Sequence, residues 1–245
     1  MKKVIFALII NFVYLHFSFG QCSDVQMYDI YTPVGSSVKT YLTCEESRYD
    51  RAFYDNLYRS KYPDAEMIII YDGLSSTRKF NCHGYAWLRV EQGIDRWIGY
   101  FSGNDDPDVY MTDGSYTQVA LETFPGKVFL DRPGDHTAIT TEQPGWFISK
   151  WGANILCRHR WDDSPYGTNG TNFKYYVKNC SVFGNETVNF TNQTVTVDTI
   201  VRSCGDINVQ NVKVQNGAKL TLDAGGNVNV ISDFDVQLGS SFEIK

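Results

Sequence analysis

Two residues in the sequence have the chemistry of a nucleophile and its base. Cys82 stands at the start of a predicted helix, directly after Asn81, whose side chain is suited to cap that helix. The thiolate is the reactive form of cysteine, and the dipole and unpaired amides of a helix N-terminus stabilise it. His136 begins a predicted strand, and a nearby imidazole takes up a thiol proton and returns it to a leaving amine. The pair predicts acyl transfer through a thioester on Cys82.

Each polar residue near this pair also has a structural interpretation. A single cysteine in an exported protein is more often half of a disulfide than a nucleophile. His83 follows Cys82 directly and is interpreted as a structural donor, because successive helix residues face different directions. Asp135 is predicted to point to the strand face opposite His136, so it is poorly placed to orient that imidazole. His159, between two arginines, is interpreted as a solvent or cleft-rim residue.

The elements that must position these residues predict an α+β fold. A first helix is predicted over 45–60, with Tyr49, Phe53, Leu57 and Tyr58 on one stripe. The second helix is predicted over 82–91 and begins at Cys82. Alternating apolar residues and turn signals predict strands within 22–45 on either side of a turn at 33–35, and at 67–71, 127–130, 136–140 and 146–151.

Three motifs resemble the NlpC-type and CHAP-type cysteine peptidases, which are papain-like. They are NCHGYAW at 81–87, GDHTAI at 134–139 and FISKWG at 147–152, and they look closest to a secreted Bacteroidetes branch of these peptidases. The segments at 113–116 and 164–166 also resemble that branch, so the resemblance spans 27–170. It implies a papain-like core, in which a helix bearing the cysteine packs on an antiparallel sheet bearing the histidine.

The resemblance also implies a role for each matching residue. Cys82 is the expected nucleophile and His136 the expected general base. The family's third polar residue, which orients the imidazole, falls on Ser149, where a serine departs from the usual His, Asn, Gln or Glu. Lys127 is a second departure, because the family commonly has Asp after the glycine of that turn.

The N-terminus predicts export. Lys2 and Lys3 precede an apolar run over 4–17, and small residues at Ser18 and Gly20 predict a signal peptide over 1–20. The alternative, a membrane anchor, is disfavoured because the run is shorter than the ~20 residues that span a bilayer. We expect no membrane-spanning segment after signal removal, and a location outside the cell or in its envelope. The net charge of −6 argues against a nucleic-acid partner.

Export places the six cysteines in an oxidising compartment, where structural thiols pair. Cys22 with Cys44, and Cys180 with Cys204, are candidate disulfides by their proximity in sequence, although spacing alone does not determine connectivity. The sequence contains no C-x-x-C, no zinc-like spacing of His and Cys, and no glycine-rich phosphate loop. We therefore expect neither a metal nor an organic cofactor.

From residue 185 onward, Asn, Thr, Val and Gly dominate, which separates a predicted domain at 21–184 from a β-strand repeat at 185–245. The repeat predicts a short right-handed β-solenoid with about three strands per coil, or alternatively a meander. Residues 195–245 carry no histidine and are interpreted as a structural or surface-attachment module. Apolar residues recur there at a step of eight in two registers: Val212, Leu220, Val228, Val236 and Ile244, and Val214, Leu222, Val230 and Leu238.

Together these observations predict an exported cysteine peptidase or amidase. By the resemblance, its expected substrates are peptidoglycan stem peptides or other peptides. One alternative is a non-catalytic surface protein that binds wall peptides or glycans on a degenerate peptidase fold, which the serine at 149 favours. A secreted toxin with the same chemistry and a different target is the other alternative.

Overall fold

The computed structural model describes residues 25–99, 107–130, 135–166 and 173–245, and the predicted signal peptide lies outside these ranges. The fold is α+β, with many strands and few short helices. No helix within the described ranges is long and apolar enough to cross a membrane. The strands are β1 Gln26–Tyr31, β2 Ser37–Leu42, β3 Glu66–Met67, β4 Trp97–Ile98, β5 Tyr116–Val119, β6 Lys127–Leu130, β7 His136–Thr140, β8 Trp146–Lys150, β9 Leu156–Arg160, β10 Phe173–Lys178, β11 Val188–Val195, β12 Thr199–Ser203, β13 Ile207–Val214, β14 Lys219–Ala224, β15 Val228–Val236 and β16 Ser241–Ile244. The helices are α1 Arg48–Lys61, a π-helix Gly84–Arg89, α2 Val90–Gln92, α3 Asp108–Thr112 and α4 Cys180–Phe183.

A seven-stranded antiparallel sheet forms the centre of the chain before β11, in the order β3-β9-β8-β7-β6-β10-β5. It contains the predicted strands at 127–130, 136–140 and 146–151. A smaller sheet, β1-β2-β4, includes the hairpin predicted before residue 45. The strand predicted at 67–71 is wrong in extent, because the chain turns back at Asp72 and Gly73, both of which have positive φ.

Helix α1 begins later than predicted, after Ser47, whose side chain accepts the Asp50 amide. Three residues of the predicted apolar stripe point to solvent: Tyr49 is 80% exposed, Phe53 56% and Leu57 46%. The fourth, Tyr58, is half-buried and packs on Trp151 with ring centroids 5.6 Å apart. The buried face of the helix is polar instead.

Two side chains of α1, Arg51 and Asp55, attach the helix to the loop before the cysteine. The Asp55 carboxylate accepts the amides of Ser75 and Ser76 at 2.9 and 2.8 Å, and Arg51 Nε donates to the Ser76 carbonyl at 2.7 Å. Buried backbone groups of the loop need such partners. The need to pair these backbone groups turns Arg51 and Asp55 inward, although the apolar stripe alone would favour another face of α1.

The cysteine helix, which we define as residues 82–92, packs on one face of the central sheet. Trp87 is fully buried, stacks on Tyr110 with ring centroids 5.4 Å apart, and meets Tyr116 edge-on at 4.9 Å. Such offset and edge contacts add to the stabilisation that burial provides. Trp151 is likewise a core residue, with 1% of its surface exposed.

The C-terminal strands form two three-stranded parallel sheets, β11-β13-β15 and β12-β14-β16. Parallel pairing excludes the meander and supports the solenoid. Each coil has two strands rather than three, because the longer strands bend instead of ending. The bends lie at Asn192, Asn211 and Asp233, which all have positive φ, and residues on both sides of a bend, such as Val209 and Val212, remain buried.

Residues that stack on each other in neighbouring coils are not separated by a multiple of the predicted eight-residue step. Val214 pairs with Val236 and Leu222 with Ile244, so each pair joins residues from the two predicted registers. The registers are buried in the middle coil but not in the last, where Val230 is 51% exposed and Leu238 is fully exposed. The prediction of two continuous inward-facing registers is therefore wrong for the last coil.

The chain before β11 and the coils that follow it meet at a seam, which we define by the contacts of Phe124 with Ile200 and Arg202. The Phe124 amide donates to the Ile200 carbonyl at 2.8 Å, and the Arg202 amide donates back to the Phe124 carbonyl at 2.7 Å. The predicted disulfide between Cys180 and Cys204 is confirmed beside this seam. Cys44 is also disulfide-bonded, but its predicted partner lies outside the described residues.

Lys127 is buried at this seam rather than exposed in a turn. Its ammonium pairs with Glu91 at the end of the cysteine helix, and Lys178 bridges Glu91 and Glu186 at 2.8 and 2.6 Å. These four charges line a cavity of about 210 Å³ between the two parts of the chain.

Candidate active site

The cysteine helix begins at a capped turn. Asn81 Oδ1 accepts the Gly84 amide at 2.9 Å, and the Asn81 carbonyl accepts the Tyr85 amide at 2.8 Å, so the predicted N-cap is confirmed. The Asn81 side chain also donates to the Ile98 carbonyl at 2.6 Å, which joins the helix start to β4. Cys82 thus lies in the first turn, where amides lack partners within the helix and can hold an oxyanion.

Close backbone packing determines the residue two positions after Cys82. A Cβ at Gly84 would lie 1.9 Å from the carbonyl oxygen of Arg96, a distance no side chain tolerates. Beyond this contact the helix widens into its π-helical section, in which the Val90 amide donates to the Tyr85 carbonyl. The predicted helix is therefore confirmed in position, with π rather than α geometry over most of its length.

Cys82 and His136 come together at one end of the central sheet. Cys82 is 7% exposed, and His136 is fully buried at the first position of β7. Burial alone would raise the pKa of the Cys82 thiol. The charges of His83 and His136 and hydrogen bonding with both rings outweigh burial and hold that pKa well below its ordinary value.

Aromatic stacking, rather than hydrogen bonds, holds the ring of His136. Its centroid lies 3.6 Å from that of Tyr166, with the rings nearly parallel, and 5.9 Å from that of Trp161. Within the described ranges neither ring nitrogen of His136 has a hydrogen-bond partner of strict geometry, so its interaction with Cys82 is a loose one. Catalytic hydrogen bonds are often long before substrate binds and tighten afterwards.

His83 is the second imidazole beside Cys82, a position that its interpretation as a structural donor did not include. It is buried, with Nδ1 at 2.8 Å from the Thr137 hydroxyl and Nε2 at 3.9 Å from the Asp135 carboxylate. Thr137 and Asp135 flank His136 on the chain, and the alternation of β7 turns Thr137 toward the cysteine helix. The available sequence signal was the direct adjacency of His83 to Cys82.

The structure does not bring Ser149 to His136. The Ser149 hydroxyl lies 2.7 Å from His159 Nε2 and accepts the indole N–H of Trp151 at 3.1 Å. His159 is fully buried, so its interpretation as a solvent or cleft-rim residue is wrong. Burial lowers the pKa of His159 to about 4, which leaves its ring neutral at pH 7.

Lys150, on the motif strand β8, is a buried cation near the thiol. Its ammonium donates to the carbonyls of Gly152 and Asn154 at 2.9 and 2.5 Å. Burial lowers the pKa of Lys150 to about 7, although a negative charge on Cys82 opposes that effect. The sequence offered a signal only through the motif, since lysines are seldom fully buried.

Cys157 has the opposite environment to Cys82. Both are free and buried, but burial raises the pKa of the Cys157 thiol well above its ordinary value. Cys157 thus combines a free thiol with the inert character of a core residue. Of the two free thiols in the described ranges, Cys82 alone has its pKa lowered.

No group of three or more His, Cys, Asp or Glu side chains in the described ranges is arranged to hold a metal ion. Comparisons with protein-family models, curated proteins and solved structures find no match to this chain.

Proposed function

We propose that this protein is an exported cysteine hydrolase that cleaves amide bonds through a thioester on Cys82. The observation that carries the proposal is a buried thiol in the first turn of a capped helix, in the company of two imidazoles that favour its ionised form. A thiolate, an adjacent base and helix-start amides are the three components that acyl transfer requires.

In the proposed mechanism, His136 takes the thiol proton and the Cys82 sulfur attacks the carbonyl carbon of the scissile amide. The oxygen of the tetrahedral intermediate accepts a hydrogen bond from the Cys82 amide. The C–N bond then breaks as His136 returns the proton to the leaving amine. Water attacks the thioester, His136 takes one of its protons, and that proton restores the thiol as the acid departs.

The assignment to peptidoglycan stem peptides and to papain-like peptidases rests on the resemblance of the three motifs. An antiparallel sheet that carries His136 against a helix that carries Cys82 agrees with it. The Cys180–Cys204 disulfide supports a location outside the cytoplasm. The parallel-stranded coils after residue 187 support a role in attachment, because they supply a rigid, extended surface.

The test is hydrolysis of purified sacculi and of stem peptides, followed by the appearance of new amino groups. Cys82→Ala should reduce turnover by about a thousandfold or more, since it removes the nucleophile. Cys157→Ala is the matched control, because it removes the other free buried thiol, and it should keep turnover within a few-fold of wild type. Full activity of Cys82→Ala would contradict the proposal.

One observation favours a second candidate function, a non-catalytic protein that binds wall peptides or glycans. Both ring nitrogens of His136 lack a partner of strict geometry in the described ranges, so no hydrogen-bonding group there orients the ring as a catalytic base requires. Binding of sacculi at wild-type strength by Cys82→Ala, together with no turnover by the wild-type protein, would support this second function.

A further inference from the structure

Two imidazoles lie beside Cys82, and they differ in how they are held. His136 is stacked on Tyr166 and has no strict hydrogen-bond partner at either nitrogen in the described ranges. His83 has a polar neighbour on each side, the Thr137 hydroxyl at Nδ1 and the Asp135 carboxylate near Nε2. An imidazole acquires a fixed tautomer or charge from such partners, so the two rings are suited to different tasks.

We propose that His83 is a positively charged positioning residue that, balanced by Asp135, stabilises the thiolate of Cys82 and leaves His136 free to carry the proton. This inference deepens the proposed function and rests on it for its catalytic meaning.

The geometry on each side of His83 favours its charged form. A protonated Nε2 faces a carboxylate at 3.9 Å, close enough for the two charges to attract at a partly buried site. A protonated Nδ1 donates to the Thr137 oxygen at 2.8 Å, and that oxygen also accepts the indole N–H of Trp87 at 3.3 Å. The hydroxyl therefore acts as an acceptor from both rings.

The position of His83 relative to the thiol allows a positive charge on its ring to stabilise the thiolate of Cys82. The His83 ring hydrogen-bonds with the Cys82 thiol and is 6% exposed, so water screens the interaction little. Asp135 is half-exposed and has φ of 32°, a left-handed conformation that is uncommon for Asp. Titratable groups that interact with Cys82 or His83 in the described ranges include His136, Asp135, Lys150 and Tyr166.

Ionisation of Cys82 tests this proposal without any substrate. The readout is the thiolate ultraviolet absorbance as a function of pH, taken as the difference from Cys82→Ala. His83→Gln removes the charge and should move the midpoint upward by about one pH unit or more, which is a fall of about tenfold or more in the ionisation constant of the thiol. Asp135→Asn removes the carboxylate that favours charged His83 and should move the midpoint in the same direction by a smaller amount, because the loss of that negative charge itself favours the thiolate and offsets part of the effect.

The controls separate a charge effect from a loss of structure. Asp162→Asn removes an exposed carboxylate that pairs only with Arg160 among the described residues, and it should leave the midpoint unchanged. Thermal unfolding must show that each variant remains folded. Asp135→Asn removes no buried side chain, so it keeps the test valid if His83→Gln fails to fold.

Unchanged midpoints in folded His83→Gln and Asp135→Asn would overturn this inference, and a midpoint shift confined to these two variants would support it. The proposed function fails separately, through absence of hydrolysis by the wild-type protein. Midpoint shifts without any hydrolysis would therefore retain the role of His83 and reject only the enzyme.

Discussion

At the level of single residues, the described part of the chain contains two free buried thiols whose surroundings differ in charge. Cys82 faces two imidazoles, whereas Cys157 faces mainly apolar side chains and is disfavoured as an anion. The sequence shows that both residues are cysteines, but it does not show which of the two thiols ionises. That property depends on which side chains from β7 and β8 arrive beside the helix start.

Ser149→Ala is expected to reduce stability and to leave the titration of Cys82 unchanged. The Ser149 hydroxyl serves His159 and Trp151, and its loss leaves a buried donor or acceptor without a partner, which costs about 1–3 kcal/mol. Chemical denaturation measures the first effect, and the pH dependence of thiolate absorbance the second. A raised Cys82 midpoint with unaltered stability would instead support Ser149 as the family's third polar residue.

Glu122→Gln is expected to stabilise the protein at pH 8 but not at pH 4. Burial raises the pKa of Glu122 to about 7, although the Gly145 amide opposes this. The folded state therefore binds more protons than the unfolded state between pH 4.5 and 7, and the native carboxylate is unfavourable above that range. Gln keeps an oxygen for the Gly145 amide, so we expect a gain of about 1 kcal/mol at pH 8. Denaturation midpoints at both pH values test this, and equal shifts would contradict it.

At the level of elements, the cysteine helix depends on close packing against backbone. The carbonyl of Arg96 occupies the space where a Cβ of residue 84 would lie. That contact cannot be anticipated from the sequence, because it joins a helix start to a loop residue twelve positions later. The helix itself could be predicted, since Asn81 and the apolar spacing after it are local signals.

Gly84→Ala should therefore displace the helix start and lower both stability and thiol ionisation. Overpacking at a rigid contact costs about 1–3 kcal/mol or more. Gly93→Ala is the control, since no atom lies within 4 Å of its added Cβ, although its φ of 71° itself carries some strain. Denaturation and thiolate absorbance should separate the two variants. A wild-type Cys82 midpoint in Gly84→Ala would show that the contact does not position the thiol.

Helix α1 shows why burial was harder to predict than secondary structure. Its apolar residues do recur with helical periodicity, but an apolar stripe marks the buried face only when no buried polar group needs a partner from another face of the helix. Here the loop at 71–76 exposes backbone groups that Arg51 and Asp55 satisfy, and a charged residue can be buried when it is fully paired. For this reason the apolar side chains of Tyr49, Phe53 and Leu57 face solvent rather than the core.

At the level of the whole molecule, the seam joins two architectures through buried charge. The parallel strands that begin at Val188 could be anticipated from the sequence, because the composition and the repeat are visible in one dimension. The ion pairs of Lys127 and Lys178 with Glu91 could not be predicted, since they join segments that are far apart in the chain. The same holds for the bridge between Phe124 and Val201.

Glu91→Gln is expected to destabilise the seam strongly. It leaves the buried Lys127 ammonium without its counter-charge, and breaking a buried pair from one side costs about 3–5 kcal/mol. Asp29→Asn, which breaks the exposed pair with Lys39, is the matched control and should change stability by less than about 1 kcal/mol. Thermal unfolding compares them, and equal effects would contradict the structural importance of the seam.

Within the described residues, the stack of parallel coils is joined to the rest of the chain through its first coil. Its first coil is joined to Phe124 and to the Cys180–Cys204 disulfide, whereas β15 and β16 pair with strands on one side alone within the described ranges. Because each coil contacts only its neighbours, opening should progress as fraying from β16 toward β11. Protection of the backbone amides against hydrogen exchange should therefore decline in steps from the first coil to the last, so that the coils lose protection in the reverse of their order in the chain.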